Sequence, residues 1–333
     1  SFIHRFRGGE HLLLARHTRV IEKSEGYLRD GNSGRSYYPG SPDKLLIRYR
    51  YQFKNQLQFG ITTEKDAGEQ FFSGHQKYGF DFYSLHFFAR DIGIFKAVAL
   101  GDYSINFGQG LTQWQSLSFA GPGDALIIKR QGEKLRPYVS AGEAIFNRGA
   151  GIVLAKNNWE GTFFLSFRNL DATIEKDTID FATSLRVSGY HRTQSEIDGA
   201  AGLGQWSYGA NLQYSGSDFR IGMNMVQIYL NKNLLRGNEL YKKFISPGDH
   251  LANYSVDYSY SYKNFHFFGE AAMDNKREPA FIHGIAVSTG KFADIGLLHR
   301  KISKNYVTLY GSAFTQSSTP VNENGLYTGI NIR

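Results

Sequence analysis

Cysteine is absent from all 333 residues, which excludes disulfides, thiolate metal ligands and a cysteine nucleophile. Also missing is any apolar run near the roughly 18 residues that a membrane-spanning helix needs. The first ten residues, SFIHRFRGGE, hold no apolar signal-peptide core, so an export signal is expected to have been removed or to lie upstream. No amphipathic helix of convincing length appears. None of the ten histidines falls in an HxH or HExxH pair, so no metal site and no cofactor is expected. Charge leans only mildly one way, with 38 Lys and Arg against 30 Asp and Glu and a net +8. A small, dispersed excess suits anionic lipid headgroups, lumenal arginines or nucleic acid, and selects none of them.

What the chain does have is 21 Tyr, 26 Phe and 37 Gly, a composition that favours strands, turns and close strand packing. The stretch LLIRYRYQFKNQLQFGITTE, residues 45–64, shows the pattern. Leu45, Ile47, Tyr49, Tyr51 and Phe53 alternate with Leu46, Arg48, Arg50 and Gln52, and the alternation resumes after Lys54-Asn55. Further on, Tyr254, Val256, Tyr258, Tyr260 and Tyr262 oppose Asn253, Ser255, Asp257, Ser259 and Ser261. Between Phe95 and Phe107, the spacing sets Phe95, Ala97, Ala99, Tyr103, Ile105 and Phe107 against Lys96, Asp102, Ser104 and Asn106. This period of two predicts strands near 9–18, 44–54, 56–64, 79–88, 92–106, 148–156, 159–169, 206–214, 218–229, 251–263, 265–273, 280–288, 291–300, 304–314 and 325–333. Tight polar turns alternate with longer links at 19–43, 65–78, 107–147, 170–205 and 230–250.

Such strands could build a soluble sandwich or propeller, with the apolar face against a second sheet. They could equally build a membrane barrel, whose apolar face meets lipid and whose closure satisfies every backbone group. Full charges on the polar faces, strand lengths near the 9–11 residues that cross a bilayer, and the short-turn, long-loop asymmetry favour the barrel. The expected fold is therefore all-β: a transmembrane antiparallel up-and-down barrel of about 14–16 strands, occupying residues 1–333 as one domain. Fifteen predicted strands leave the last one pointing outward, whereas bacterial single-chain barrels are even-numbered. An incomplete barrel is the corresponding expectation.

The stretches GDYSINFGQGLTQWQS, IKRQGEKLRPY, SGYHRTQSEI and SSTPVNENGLYTGINIR, with YYPGSPDKLLIRYRYQF, EKDAGEQFF, GFDFYSLHFF and NFHFFGEAAM, carry a resemblance. The chain resembles, over nearly all of residues 35–333, the barrel region of the helix-hairpin-helix domain-containing outer-membrane proteins of Bacteroidota. That resemblance implies a location in a Gram-negative outer membrane, helical helix-hairpin-helix units upstream and further strands downstream. It carries over no functional residue, and it implies contact with DNA only through the upstream region.

Ten charges on the polar faces are candidate lumen-lining residues: Arg48, Arg50, Lys96, Asp102, Arg168, Arg220, Asp257, Glu270, Asp294 and Arg300. They could line a pore and tune its selectivity, or pair across strands and fill the lumen. The segment 107–147 is the candidate lumenal plug or capping loop, with Trp114, Lys129, Arg130, Lys134 and Arg136 as its marked residues and a helical turn around Leu111–Ser118. Loops this long are usually functional or disordered. GQG at 108–110 and GAAGLGQ at 199–205 lack the strand-to-helix setting of a phosphate loop. SGYHRTQSEID places Ser188, His191, Ser195, Glu196 and Asp198 close in sequence, and a hydrolase would need them to converge in space. Polar loops offer those residues by chance, so no catalytic residue is expected. No groove-reading motif is present. The expected role is a non-enzymatic, porin-like channel or membrane scaffold, with outer-membrane lipid and other envelope proteins as partners. The alternative is a subunit of a secretion, barrel-assembly or DNA-handling complex.

Overall fold

The computed structural model describes residues 2–28, 37–118, 126–176, 178–235, 248–290 and 292–332. It forms a single antiparallel sheet of seventeen strands. Fourteen of them make the wall: β1 (Glu10–Arg19), β2 (Asp43–Phe53), β3 (Leu57–Lys65), β4 (Phe82–Ile92), β5 (Phe95–Ile105), β7 (Asn147–Lys156), β8 (Trp159–Leu170), β11 (Leu203–Ser215), β12 (Phe219–Leu234), β13 (Gly248–Tyr262), β14 (Phe265–Asp274), β15 (Pro279–Ser288), β16 (Ala293–Ile302) and β17 (Glu323–Ile332). Each pairs with the next wall strand in chain order. Three short strands are additions. β6 (Leu135–Pro137) lies on the far end of β5, and β9 (Ala172–Glu175) and β10 (Phe181–Leu185) form a hairpin that touches the end of β12. No helix among the described residues is long and apolar enough to cross a membrane.

Burial is inverted relative to a water-soluble sheet. On β13, Tyr254, Val256, Tyr258, Tyr260 and Tyr262 are 37–54% exposed, while Ser255, Asp257 and Ser259 are at most 9% exposed. On β8, Phe163, Leu165 and Phe167 face out and Thr162, Ser166 and Arg168 face in. A hydrocarbon solvent makes that arrangement favourable, because the outward aromatic band needs no second protein layer. The tight turns expected from the spacing all lie at one end, with one further short link, 275–278, at the other. Three of the expected turns place Lys54, Asn157 and Lys263 at positive φ (47°, 53° and 52°), as tight hairpin turns require. The long connections lie at the other end. This is the transmembrane up-and-down barrel fold.

Two expectations are corrected. Residues 304–314 are not a strand: apart from one isolated bridge at Tyr310, they run irregularly. Their apolar alternation comes from packing inside, since Tyr306, Val307, Tyr310, Ala313 and Phe314 are all buried. Without that strand the wall count is even, and β1 and β17 both have their outer ends at the tight-turn rim. The faces assigned to residues 95–107 also change. Ala97, Ala99, Tyr103, Ile105 and Phe107 are buried, while Leu100 is exposed. A register shift between Phe95 and Ala97 and the φ of +83° at Gly101 break the period of two, as bulges do. Past Gly101, β5 leaves β4 and pairs with β6 instead.

Among the described residues no ladder joins β1 to β17. Every residue of β1 is exposed, and β17 alternates between half-buried and exposed. On the outer surface of β2, Tyr51 is covered by the start of the chain: its hydroxyl donates to Arg5 O and accepts from Gly9 N–H (2.7 and 2.9 Å).

Candidate functional site

Two segments turn inward from the wall and bond to each other and to its inner face. The first, residues 106–116, continues β5. Phe107 N–H donates to Gln113 O (2.8 Å), and Gln115 and Ser116 N–H groups both donate to Asn106 Oδ1 (3.0 Å each). These bonds hold the segment as an extended loop, so the expected helical turn at Leu111–Ser118 does not form. The second is 306–315. Trp114 N–H donates to Tyr310 O, and Ser312 N–H to Gly110 O (both 2.8 Å). Tyr306 Oη and Thr308 Oγ1 donate to the carbonyls of Leu111 and Thr112 (2.9 and 3.0 Å).

The anchor on the wall is Glu270 of β14, which is fully buried. Its Oε2 accepts from Gln109 N–H (2.7 Å) and Leu111 N–H (3.0 Å), and its Oε1 accepts from Ser255 Oγ (2.6 Å). The N–H groups of Gln109 and Leu111, on either side of Gly110, converge on one carboxylate as in a backbone nest. The GQG triplet makes this possible. Gly108 has φ +55°, and a Cβ there would sit 2.6 Å from the Glu270 carboxyl carbon. Gly110, at φ +86°, presses equally closely on Ser312 O. Arg130 ties the two segments together: its N–H bonds Gln109 Oε1 (3.0 Å), and its guanidinium bonds the carbonyls of Ser312 and Ala313 (2.9 Å each). Among the other marked residues of 107–147, Trp114 is buried. Lys129 Nζ reaches His266 Nε2 (2.6 Å), Lys134 Nζ reaches Glu160 (2.9 Å), and Arg136 is exposed.

The ten polar-face charges divide by partner. Asp102 holds Arg148 in a two-point contact (2.7 and 2.8 Å), Lys96 meets Glu160, and Arg300 meets Glu323. Asp257 accepts from Asn224 Nδ2 (2.9 Å), and Asp294 from Ser288 Oγ (2.7 Å). Arg48 Nε donates to Thr62 Oγ1 (3.3 Å). Arg50 and Arg220 are half-buried. Arg168 turns to three backbone carbonyls, of Glu143, Ala144 and Phe146, with its guanidinium 3.7 Å from the Phe146 ring. Apolar lumenal residues also gather where the inward segments dock, Phe164 and Val226 against Phe107 and Val307 among them.

At the long-loop mouth, three connections bring together a cluster that chain spacing does not reveal. His191 Nδ1 lies 2.6 Å from Asp81 Oδ2, and its Nε2 lies 3.0 Å from Asp171 Oδ2. Glu69 Oε1 accepts from His191 N–H (2.9 Å). Glu143 completes the group, its donor atom within 4.8 Å of those of Asp171 and His191. Burial alone would lower the imidazole pKa, but the contacts to Asp171 and Asp81 outweigh it and push His191 up to about 11. Burial, with Asp81 nearby, raises Glu143 to about 9 and Glu69 to about 7. Ser188 and Ser195 do not join this group. No hydrogen bond among the described residues links either serine to His191, and Ser195 Oγ instead accepts from Arg186 (3.0 Å). Glu196 caps the short helix α1 (Gln194–Asp198) by accepting from Thr193 N–H (2.9 Å).

The fold and the buried lumenal polar face define an integral membrane β-barrel. No family model matches the chain, and no curated protein matches it. Among solved structures it is similar to the anion-selective porin of Comamonas acidovorans, at 12% identity over 88% of this chain and 89% of that one, TM-score 0.36. It is also similar to OmpT, an outer-membrane protein of Vibrio cholerae, at 11% identity over 97% and 96% of the two chains, TM-score 0.33. The barrel assignment rests on the inverted burial and the strand order.

Proposed function

We propose that this chain is a non-enzymatic outer-membrane barrel whose lumen is closed by residues 106–116 and 306–315, serving as a membrane scaffold and not as an open pore. The observation that carries the reading is the Glu270 carboxylate, buried in the wall and accepting two N–H groups of the inward loop. A pore lining would leave such a group to water and ions. The pairing of Asp102, Lys96 and Arg300 with oppositely charged neighbours supports the same reading, since paired charges offer little to a passing solute. The resemblance to Bacteroidota barrels supports the location.

Planar-bilayer recording tests it. The intact, folded barrel is expected to show no single-channel steps, and excision of residues 109–113 is expected to create them. Regular steps from the intact barrel would overturn the closed-lumen reading.

A second reading, a subunit of a larger envelope assembly, is favoured by one feature: β1 and β17 each carry an edge without a described partner. Unpaired backbone groups are costly in hydrocarbon, so an edge strand there calls for a neighbour. Cysteines introduced at Leu13 and Leu326 of this cysteine-free chain, singly and together, test it. An internal crosslink in the double variant would mean that the wall closes on itself, and crosslinks of the single variants to other chains would support the assembly.

A further inference from the structure

We infer that His191, Asp171 and Glu143 form a binding site for a divalent transition-metal ion of the zinc type at the long-loop mouth of the barrel. The inference does not depend on whether the lumen is open or closed.

The imidazole is oriented as a ligand. Its Nδ1 is engaged by Asp81 Oδ2 at 2.6 Å, and Asp81 Oδ1 is held in turn by the Gln76 side-chain amide. A metal-bound histidine characteristically gives its other ring N–H to a carboxylate in this way, which aims the second nitrogen at the ion; the proton that Nε2 carries in the metal-free ring would leave to solvent on binding. That nitrogen, Nε2, is buried and meets Asp171 Oδ2 at 3.0 Å as an ion pair that falls short of hydrogen-bond geometry. The His191 side chain as a whole is 10% exposed. Two ligands of one ion, each bound at about 2.0–2.2 Å, stand about 3 Å apart at right angles and about 3.3–3.6 Å apart at the tetrahedral angle. Nε2 and Asp171 Oδ2, at 3.0 Å, are within a few tenths of an ångström of that range.

The charge balance around the site points the same way. Glu143, Asp171, Asp81 and Glu69 surround a single imidazole. The nearby Glu64 and Asp66 are already matched by Lys44. Arg148 and Arg168 border the same cavity but are turned to Asp102 and to backbone carbonyls. The Glu143 carboxylate has no hydrogen bond or ion pair among the described residues. Glu143, Asp171 and His191 all line a cavity of about 870 Å³, so an ion at Nε2 would keep open positions for water or a solute. One imidazole with two carboxylates suits zinc or manganese better than calcium, which prefers an all-oxygen shell of six to eight ligands.

The ion would join two connections: the 106–146 loop through Glu143, and the 171–202 loop through Asp171 at its near end and His191 on its far arm. It would fasten the return of the inward loop to the rim of β8.

The test uses the purified, detergent-solubilised barrel, stripped with a chelator and titrated with Zn²⁺ against a chromophoric competitor. Co²⁺ in place of Zn²⁺ gives a visible ligand-field spectrum as a second readout. One equivalent per chain is expected, with a Co²⁺ spectrum that shows nitrogen and oxygen ligands. Glu143→Gln and Asp171→Asn should each weaken binding at least about tenfold, and Asp81→Asn, which removes only the orienting carboxylate, by about 10- to 100-fold. Glu64→Gln, in the adjacent acidic pair, should leave it within about twofold, as expected for a residue outside the proposed ligand set. Heat-modifiable migration confirms that each variant is folded, and for any variant that is not, the wild-type titration and Co²⁺ spectrum decide. The inference is overturned if the folded wild-type barrel binds no Zn²⁺, if Ca²⁺ competes on equal terms, or if Glu64→Gln weakens binding as much as Glu143→Gln.

Discussion

Glu270 and Gln109 are 161 residues apart in the chain and joined by a 2.7 Å hydrogen bond from the Gln109 N–H to the buried carboxylate. Leu111 N–H shares the same oxygen, so one side chain of the wall fixes the position of a whole inward loop. Glu270→Ala leaves both N–H groups without an acceptor, at about 1–3 kcal/mol for each. The midpoint of heat-modifiable migration should fall, and the 106–116 amides should exchange with deuterium faster than in the wild type. Unchanged exchange would show that the carboxylate is incidental.

Gly108→Ala tests the nest from the other side. The added Cβ would lie within 2.6–2.8 Å of the Glu270 carboxyl atoms at a φ of +55°, so strain and collision act together. Gly93→Ala is the matched comparison, with φ +61° and open space around it. The first should lower the unfolding midpoint clearly more than the second. Equal losses would mean that only backbone strain matters.

The outward face should reject charge. Val256 is near the centre of β13 and 43% exposed, where an arginine facing lipid costs about 2–4 kcal/mol. Val256→Arg should reduce the folded fraction in lipid vesicles under urea by a corresponding amount. A stability equal to that of wild type would mean that this face does not meet hydrocarbon.

Docking of the second half of the inward loop should strengthen with pH. Burial first, and then Arg220, pushes Lys129 down to about 8, against the upward pull of Asp257. His266 is its hydrogen-bond neighbour (2.6 Å). The folded value lies below the usual lysine value, so the folded form binds fewer protons and its stability rises with pH. The gain runs from about pH 8 to 10.5, and below that window the buried charge opposes docking. Amide protection of residues 126–134 should therefore rise between pH 7.5 and 10, and Lys129→Met should flatten the rise. Protection that falls over this interval would contradict the assignment.

The wall was legible where one face meets lipid along a whole strand. The tyrosine ladder of β13 alternates without interruption, and its exposed and buried residues fall where the spacing puts them. The tight turns at Lys54-Asn55, Asn157-Asn158 and Lys263-Asn264 were equally plain. Legibility ended where a segment is buried on both sides. Residues 304–314 alternate like a strand but pack inside, because period two reports a difference between faces and not which solvent lies beyond. Residues 95–107 misled for a related reason: past Gly101 every residue from Asp102 to Phe107 is buried, so the alternation there does not separate a lipid face from a lumenal one. The mouth cluster was hidden because His191, Asp81, Asp171, Glu69 and Glu143 come from three separate connections, so local motifs such as HxH carry no trace of it. The GQG triplet was visible but was read only against phosphate binding, whereas its glycines admit Glu270 and Ser312.

The two inward segments enter from connections on opposite sides of the sheet order, yet they are stitched at Gly110–Ser312, Trp114–Tyr310 and through Arg130. A tug on either one is therefore transmitted to the other. Mechanical extraction of this obstruction should register as a single rupture, and a half-withdrawn cork should not persist as a separate state.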